Sequence, residues 1–216
     1  GVAAGGQLTT TTEFENFPGF LDISGTELMT KMRDQAAHWG TKIFTETVDS
    51  IDVSQSPFTV VSDSQTVKTK TIIIATGATA QRLGLPGEET YWQKGISACA
   101  VCDGALPIFR NKPMVVIGGG DTAAEEATFL TKFASTVHLL VRRGEMRASK
   151  AMQQRVFDNK KIKIHWNTEA TEAVGEKLLT GVSVINSKTK ETQTITASGL
   201  FYAIGHTPNT TFLDNQ

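Results

Sequence analysis

Three groups of residues in this sequence have types and spacings that could do chemistry. Cys99-Ala100-Val101-Cys102 sets two thiols three positions apart, and Asp103 follows at once. At that spacing the sulfurs can close a small disulfide, or share one thiolate stabilised by local dipoles. A carboxylate beside a thiolate disfavours the anion, so Asp103 makes sense as an acid–base group that moves a proton during thiol–disulfide exchange. The second group is Gly118-Gly119-Gly120-Asp121-Thr122-Ala123, which fits G-x-G-x-x-A. Gly118 would allow a tight turn, Gly120 would let the backbone approach a pyrophosphate, and Ala123 would let a helix pack closely on its sheet. About twenty residues on, where an NAD site carries an acid for the ribose 2′-hydroxyl, stand Arg142 and Arg143, with Arg147 a helical turn further. A planar guanidinium with a permanent charge matches a phosphate, so the nucleotide implied is NADP(H).

The elements needed to position these groups can be read around them. Pro113 to Ile117 is an apolar strand, Asp121 to Ser135 a helix, and Val137 to Val141 a second strand, which together make one βαβ unit. A helix from Ser149 to Asp158 and a strand from Ile162 to Trp166 continue the pattern. Val182 to Ile185 and Thr192 to Thr196 read as a hairpin, and Leu200 to Ile204 as a buried strand. Nearer the start, Thr26 is placed to cap a helix over Glu27 to Trp39 that ends at Gly40. Ile43 to Val48, Phe58 to Ser62 and Thr66 to Lys70 read as exposed strands. Thr71 to Ala75, apolar on both faces, reads as a buried parallel strand.

Composition narrows the function classes. The chain has 216 residues, 39% hydrophobic and 20% charged, which is ordinary for a globular α/β protein of one or two domains. Net charge is −1, without the basic excess of a nucleic-acid binder. No apolar run approaches the roughly 18 residues of a membrane span. The two cysteines are too few and too close for a disulfide-stapled secreted domain, and read as cytosolic redox chemistry or half of a metal site. A zinc site needs further ligands, and His38, His138, His165 and His206 are scattered, so no metal is expected. A pair of buried, unreactive cysteines is the remaining bland alternative. The chain opens Gly-Val-Ala-Ala-Gly-Gly without an initiator Met and reads as an internal piece of a longer protein.

Taken together, these motifs resemble the low-molecular-weight NADPH-dependent thioredoxin reductases, most closely those of fungi. The resemblance runs through Gly5 to Thr11, Glu15 to Gly19, Ala75 to Ala78, Gly95 to Gly104, Gly118 to Ala123, Val141 to Arg143, Arg147 to Lys150 and Ala203 to Asn209. It implies two Rossmann-like nucleotide-binding domains of the three-layer ββα type. Residues 1–80 would begin the FAD domain, 81–202 would form the NADPH domain with the cysteine pair, and 203–216 would resume the FAD domain. It implies hydride transfer from NADPH to FAD, electron transfer to the Cys99–Cys102 disulfide, and exchange with thioredoxin. Cys102 would face the flavin, Cys99 would attack the client, and Asp103 would be the acid. FAD contacts would come from Gly6, Gln7, Leu8, Asn16, Val48, Ala75, Thr76, Gly77 and Cys102. NADPH contacts would come from Gly118, Gly119, Gly120, Asp121, Thr122, Ala123, Arg142, Arg143, Arg147, Ile204 and Gly205. The family's first FAD glycine fingerprint is absent here, so activity is expected of the full-length protein. A homodimer in the cytoplasm is implied, with a mitochondrial form as the alternative. A related flavoenzyme of a peroxiredoxin system, or a non-catalytic nucleotide-binding fragment, are the competing readings.

Overall fold

A computed structural model of the chain describes residues 4–10, 14 and 17–213. The chain packs as two compact units, Gly1–Thr79 with Pro208–Gln216, and Ala80–Thr207.

The first unit holds α1 (Gly25–His38), β1 (Val48–Asp52), β2 (Phe58–Ser62), β3 (Thr66–Thr69) and the start of β4 (Ala78–Ala80). The Oγ of Ser24, not Thr26, caps α1 by accepting the N–H of Glu27 at 3.2 Å, so the helix starts earlier than the sequence reading. Gly40 closes it in the left-handed region at φ +86°. β1, β2 and β3 form an antiparallel sheet in that order, and the exposed strand expected at Ile43 to Val48 begins instead at Val48. Thr71 to Ala75, expected to be a buried strand, is irregular, and Ile73 is 93% exposed. A strand needs at least one ladder partner, and among the described residues no strand pairs with this segment.

The second unit begins with α2 (Glu88–Tyr91), β5 (Ile96–Ser97) and α3 (Ala100–Asp103). β6 (Pro113–Ile117), α4 (Asp121–Leu130), β7 (Thr136–Val141), α5 (Lys150–Asp158) and β8 (Ile162–Trp166) follow. β9 (Thr168–Gly175), β10 (Leu179–Asn186), β11 (Thr192–Thr196), β12 (Gly199–Tyr202) and β13 (His206–Pro208) complete the order, β13 running across the boundary. A five-stranded parallel sheet, β5-β12-β6-β7-β8, forms the middle layer. Side chains alternate across it. Met114, Val116, Val137, Leu139 and Phe201 face α4 and α5, while Val115, Leu140, Leu200 and Tyr202 face the antiparallel sheet β11-β10-β9. This is the three-layer nucleotide-binding fold expected. α4 is shorter than its apolar pattern predicts, because past Leu130 the amides of Thr131, Lys132 and Phe133 bond three residues back and tighten the chain.

The ladder also explains where a ligand could sit. Ile117 pairs with Leu140 and with Tyr202, so β6, β7 and β12 end level with one another. The segments that follow them, Gly118 to Gly120, Arg142 to Arg147 and Ala203 to Gly205, therefore meet at one carboxyl edge. Among the described residues, no helix is long and apolar enough to cross a membrane.

Candidate functional site

The glycine turn is built by close packing. Gly118 has φ +153°, and a Cβ there would collide with the Ala203 carbonyl and lie 2.7 Å from the Cβ of Ala123. Only glycine lets β6 pass into α4 while the end of β12 presses against it. Gly120 is the N-cap of α4, supplies no side-chain cap, and has open space where a Cβ would stand. The first amides of α4 are thus left to a ligand, beside the positive end of the helix.

The arginine segment is tied to that turn through its backbone. The amides of Arg147 and Ala148 donate to the Gly119 carbonyl at 2.7 and 3.1 Å. Asp121 Oδ1 accepts the amide of Ser149 at 2.8 Å, and this bond, with help from the Ser149 hydroxyl, holds the carboxyl below its usual range. Ser149 in turn caps α5. Asp121 therefore works as a clamp on the loop. Neither it nor Ala123 lines the cleft, although the motif places both among the nucleotide contacts. Ala123 supports the turn from beneath, as the Gly118 geometry shows.

The resulting cleft has a volume of about 420 Å³ and lies entirely within the second unit. Gly118, Gly119, Gly120 and Thr122 form one wall, and Arg142, Arg143 and Arg147 form another. Ala203, Ile204 and Gly205 close the end beyond β12. Among the described residues none of the three arginines is in an ion pair. Glu145 and Glu169 also line the cleft, as do Gln81, Leu83 and Thr168, none of which the sequence motifs indicated. These five come from loops and strand ends with no spacing rule of their own. The donors fit a nucleotide bearing an extra phosphate: open glycine backbone at a helix start for the pyrophosphate, and guanidinium groups without an ion pair for the second anion.

The redox candidates are assembled at the end of β5. Cys99 and Cys102 are bonded to each other, with Cα atoms 5.3 Å apart. Cys99 caps the single turn α3, its Sγ accepting the amide of Cys102 at 3.2 Å. Ser97, outside the Cys-x-x-Cys-Asp motif, joins the parts. Its Oγ accepts the Cys99 amide at 3.0 Å and donates to Asp103 Oδ2 at 2.6 Å. Ser97 is buried, 5% exposed, so the Asp103 carboxylate is fixed under the disulfide by a dry hydrogen bond. The pattern Ser-x-Cys-x-x-Cys-Asp is the one signal in the sequence that could have found it. Cys102 is exposed and Cys99 half-buried.

The flavin candidates lie in the first unit. Gly6, Gln7 and Leu8 belong to a 3₁₀ turn, Gly6–Thr10. Gln7 Nε2 donates to the Ala78 carbonyl at 3.0 Å, which joins this turn to the Ala75, Thr76 and Gly77 segment. Asn209 braces the same segment: its side chain donates to the Thr76 carbonyl at 3.1 Å, and its amide donates to the Gly77 carbonyl at 3.0 Å. Gly6 and Gly77 have φ of +58° and +70° with open space where a Cβ would stand, a backbone cradle that fits a flat ligand. Val48 opens β1 and is 39% exposed, and among the described residues no direct hydrogen bond joins it to this cradle. Asn16 lies outside the described residues.

Comparison with known proteins agrees in sequence and in structure. A sequence model of the pyridine nucleotide-disulphide oxidoreductases matches residues 2–216. Thioredoxin reductase of Dictyostelium discoideum is 63% identical over 100% of this chain, which spans 69% of that protein. Thioredoxin reductase 1 of Saccharomyces cerevisiae is 59% identical, again over 100% of this chain and 70% of that protein. The structure of thioredoxin reductase from Giardia duodenalis superposes with a TM-score of 0.74 at 47% identity, covering 96% of this chain and 67% of that one.

Proposed function

The chain belongs to the thioredoxin reductases, within the pyridine nucleotide-disulphide oxidoreductase family, and from that premise we propose that Cys99 and Cys102 carry reducing equivalents from NADPH, by way of FAD, to the disulfide of thioredoxin. The observation that carries this reading is the disulfide itself, in the same unit as a glycine turn overhung by three arginines that, among the described residues, have no ion pair.

Gly118, Gly119 and Gly120 with the first amides of α4 would hold the NADPH pyrophosphate, and Arg142, Arg143 and Arg147 its 2′-phosphate. Ala203, Ile204 and Gly205 would bound the rest of the nucleotide. In the first unit, Gly6, Gln7, Leu8, Ala75, Thr76 and Gly77 would hold FAD, with Asn16 and Val48 as further contacts. FAD, when bound, supplies the two-electron relay between a nicotinamide and a disulfide.

Once the Cys99–Cys102 bond is reduced, one thiolate attacks a sulfur of the client disulfide and forms a mixed disulfide. The second thiol displaces the client, which leaves with two electrons and two protons while the Cys99–Cys102 bond reforms. Asp103, oriented by Ser97, takes and returns the proton of the attacking pair. Cys102, the more exposed sulfur, would face the flavin, and Cys99 would attack the client. A homodimer is the assembly we propose, and the sedimentation coefficient of the full-length protein checks it.

The full-length protein with Cys102→Ser should lose thioredoxin reduction and keep NADPH-driven bleaching of the flavin. Loss of both half-reactions would contradict the assignment. Trapping with a single-cysteine thioredoxin distinguishes the two thiols. A mixed disulfide formed by Cys102→Ser but not by Cys99→Ser supports Cys99 as the attacking residue.

A further inference from the structure

α3 sits on α4 through two small residues. Ala100 is 0% exposed, and a Cβ on Gly104 would lie 2.5 Å from Leu130 Cδ2 and 2.6 Å from the Ala100 carbonyl oxygen, so the glycine keeps this approach close. The close seating encloses the side chain of Glu126, which no step described above uses. Its Oε2 is buried and has no hydrogen-bond partner. The donor that stabilises its charged form is the backbone N–H of Ala100, the residue directly after Cys99. That amide is itself in need: it stands at the first position of α3, where no intrahelical acceptor exists, and water cannot reach it. Further along the turn two amides are already served, Cys102 by Cys99 Sγ and Asp103 by the Cys99 carbonyl.

We propose that Glu126 is a positioning residue of the redox turn, holding the Ala100 amide from below and taking up a proton when the Cys99–Cys102 disulfide is reduced. The idea rests on the reading of that pair as the redox centre. Burial first, and the neighbouring Glu125 charge as well, push the Glu126 carboxyl up to about 7 against the pull of the Ala100 amide. It therefore changes charge in the physiological range. Charged groups on the packed elements are few. They are Asp103 on α3, Asp121 and Glu125 on α4, and Lys150, Arg155 and Asp158 on α5. β6 has none, and His138 of β7 lies on the opposite face of the sheet, paired with His165. Of these, Glu125 is the one whose charge acts on Glu126.

In the coupled step the S–S bond breaks and the two electrons from NADPH end on the sulfurs. One sulfur takes a proton through Asp103, the other remains a thiolate, and Glu126 takes a proton from solvent as negative charge gathers above it. An ionised Glu126 opposes that thiolate, and a neutral one does not.

The test uses the full-length holoenzyme, equilibrated with glutathione buffers from about pH 6 to about pH 8.5 and quenched by thiol trapping. The unmodified protein should show a bend near pH 7 in the dithiol–disulfide equilibrium. Glu126→Gln keeps an acceptor for Ala100 but cannot ionise. It should remove the bend and shift the equilibrium toward the dithiol by about fivefold at the alkaline end. A retained bend with no shift would overturn the proposal. A protein whose thiols stay free under every oxidant would instead overturn the redox reading on which it rests. Should Glu126→Gln not fold, reduced-minus-oxidised infrared spectra of the unmodified protein decide. A protonated-carboxyl band gained on reduction and displaced in Glu126→Asp supports the coupling; no such band overturns it.

Discussion

Two polar regions of the second unit are built on opposite plans. Around Glu88, 3% exposed, every group is served. Its carboxylate accepts from the Tyr202 hydroxyl at 2.7 Å, from Arg82 Nε at 2.8 Å, and from the amides of Leu83, Gly84 and Leu85 at 3.0 to 3.4 Å. Arg82 also reaches Glu89 and lies 4.1 Å over the Trp92 ring. Burial pushes the Glu88 carboxyl up, but the Tyr202 hydroxyl, the Leu85 amide and Arg82 outweigh it and hold it below the usual range. Around the glycine turn and α4 the reverse holds. Among the described residues, three arginines have no ion pair, the helix start has no side-chain cap, and one carboxylate oxygen of Glu126 is bare. Satisfied polar groups hold a fold together, whereas unsatisfied ones mark where something else must bind or change charge. Glu88 fastens Arg82 to Leu85 to Tyr202 at the end of β12, and so is structural. The cleft is functional for the complementary reason.

This contrast can be broken from either side. The largest effect should come from Glu88→Ala, which leaves Arg82 Nε, the Tyr202 hydroxyl and three amides without their Glu88 acceptor. It should cost about 3 kcal/mol of stability in denaturant titration, while NADPH affinity of the folded fraction stays within about twofold. A larger loss of affinity than of stability would place Glu88 in the site. Its stabilising effect is full above the ordinary value of 4.5 and is lost as pH falls through its depressed value.

From the other side, Arg142→Ala with Arg143→Ala should weaken NADPH about 100-fold by titration calorimetry. NADH should change by less than about threefold, and the melting temperature should hardly move. Equal weakening of both nucleotides would remove the 2′-phosphate assignment.

A smaller, pH-dependent effect separates the sheet from both regions. His138 Nδ1 and His165 Nε2 lie 2.9 Å apart between β7 and β8. Burial first, and then the His165 and Lys163 charges, push His138 down to about 4 from 6.5. Folding thus favours the neutral ring. That contribution is full above pH 6.5 and is lost as pH falls toward 4, by about 1–2 kcal/mol after allowing for partial exposure. Thermal melts of His138→Leu should show a shallower acid slope in this window, the remainder coming from His165, which burial and the Lys163 charge also push down; an unchanged acid slope would show the loss arises elsewhere. The smallest effect expected is that of Trp92→Leu, about 1 kcal/mol from the lost Arg82 stacking, with cofactor binding untouched.

Legibility in the sequence followed the strength of local rules. β2, β6, β8 and β11 stand where their apolar patterns place them, because each alternates or runs apolar between clear turn residues. β9, Thr-Glu-Ala-Thr-Glu-Ala-Val-Gly, is illegible as a strand, since its polarity resembles a loop and only pairing with β10 makes it one. Thr71 to Ala75 fails in the opposite sense: its apolar run is strand-like, but a ladder partner is what makes a strand. Among site residues, the glycines, arginines and cysteines are legible because their chemistry depends on short spacings. Ser97, Glu88 and Glu126 are not, because nothing in a linear pattern distinguishes a buried, bonded or orphaned side chain from a solvated one.

By itself, the order of residues determined which chemistry is present: a thiol pair with an adjoining acid, a glycine turn between strand and helix, and arginines one crossover later. These depend on covalent spacing and backbone freedom, which act within a few residues of each other. Only the tertiary structure decided that the ends of β6, β7 and β12 lie level and so make one cleft, that Asp121 clamps a loop beside it, and that a glutamate on the nucleotide helix lies beneath the redox turn. Those depend on register and burial, which exist only after distant segments have packed and excluded water.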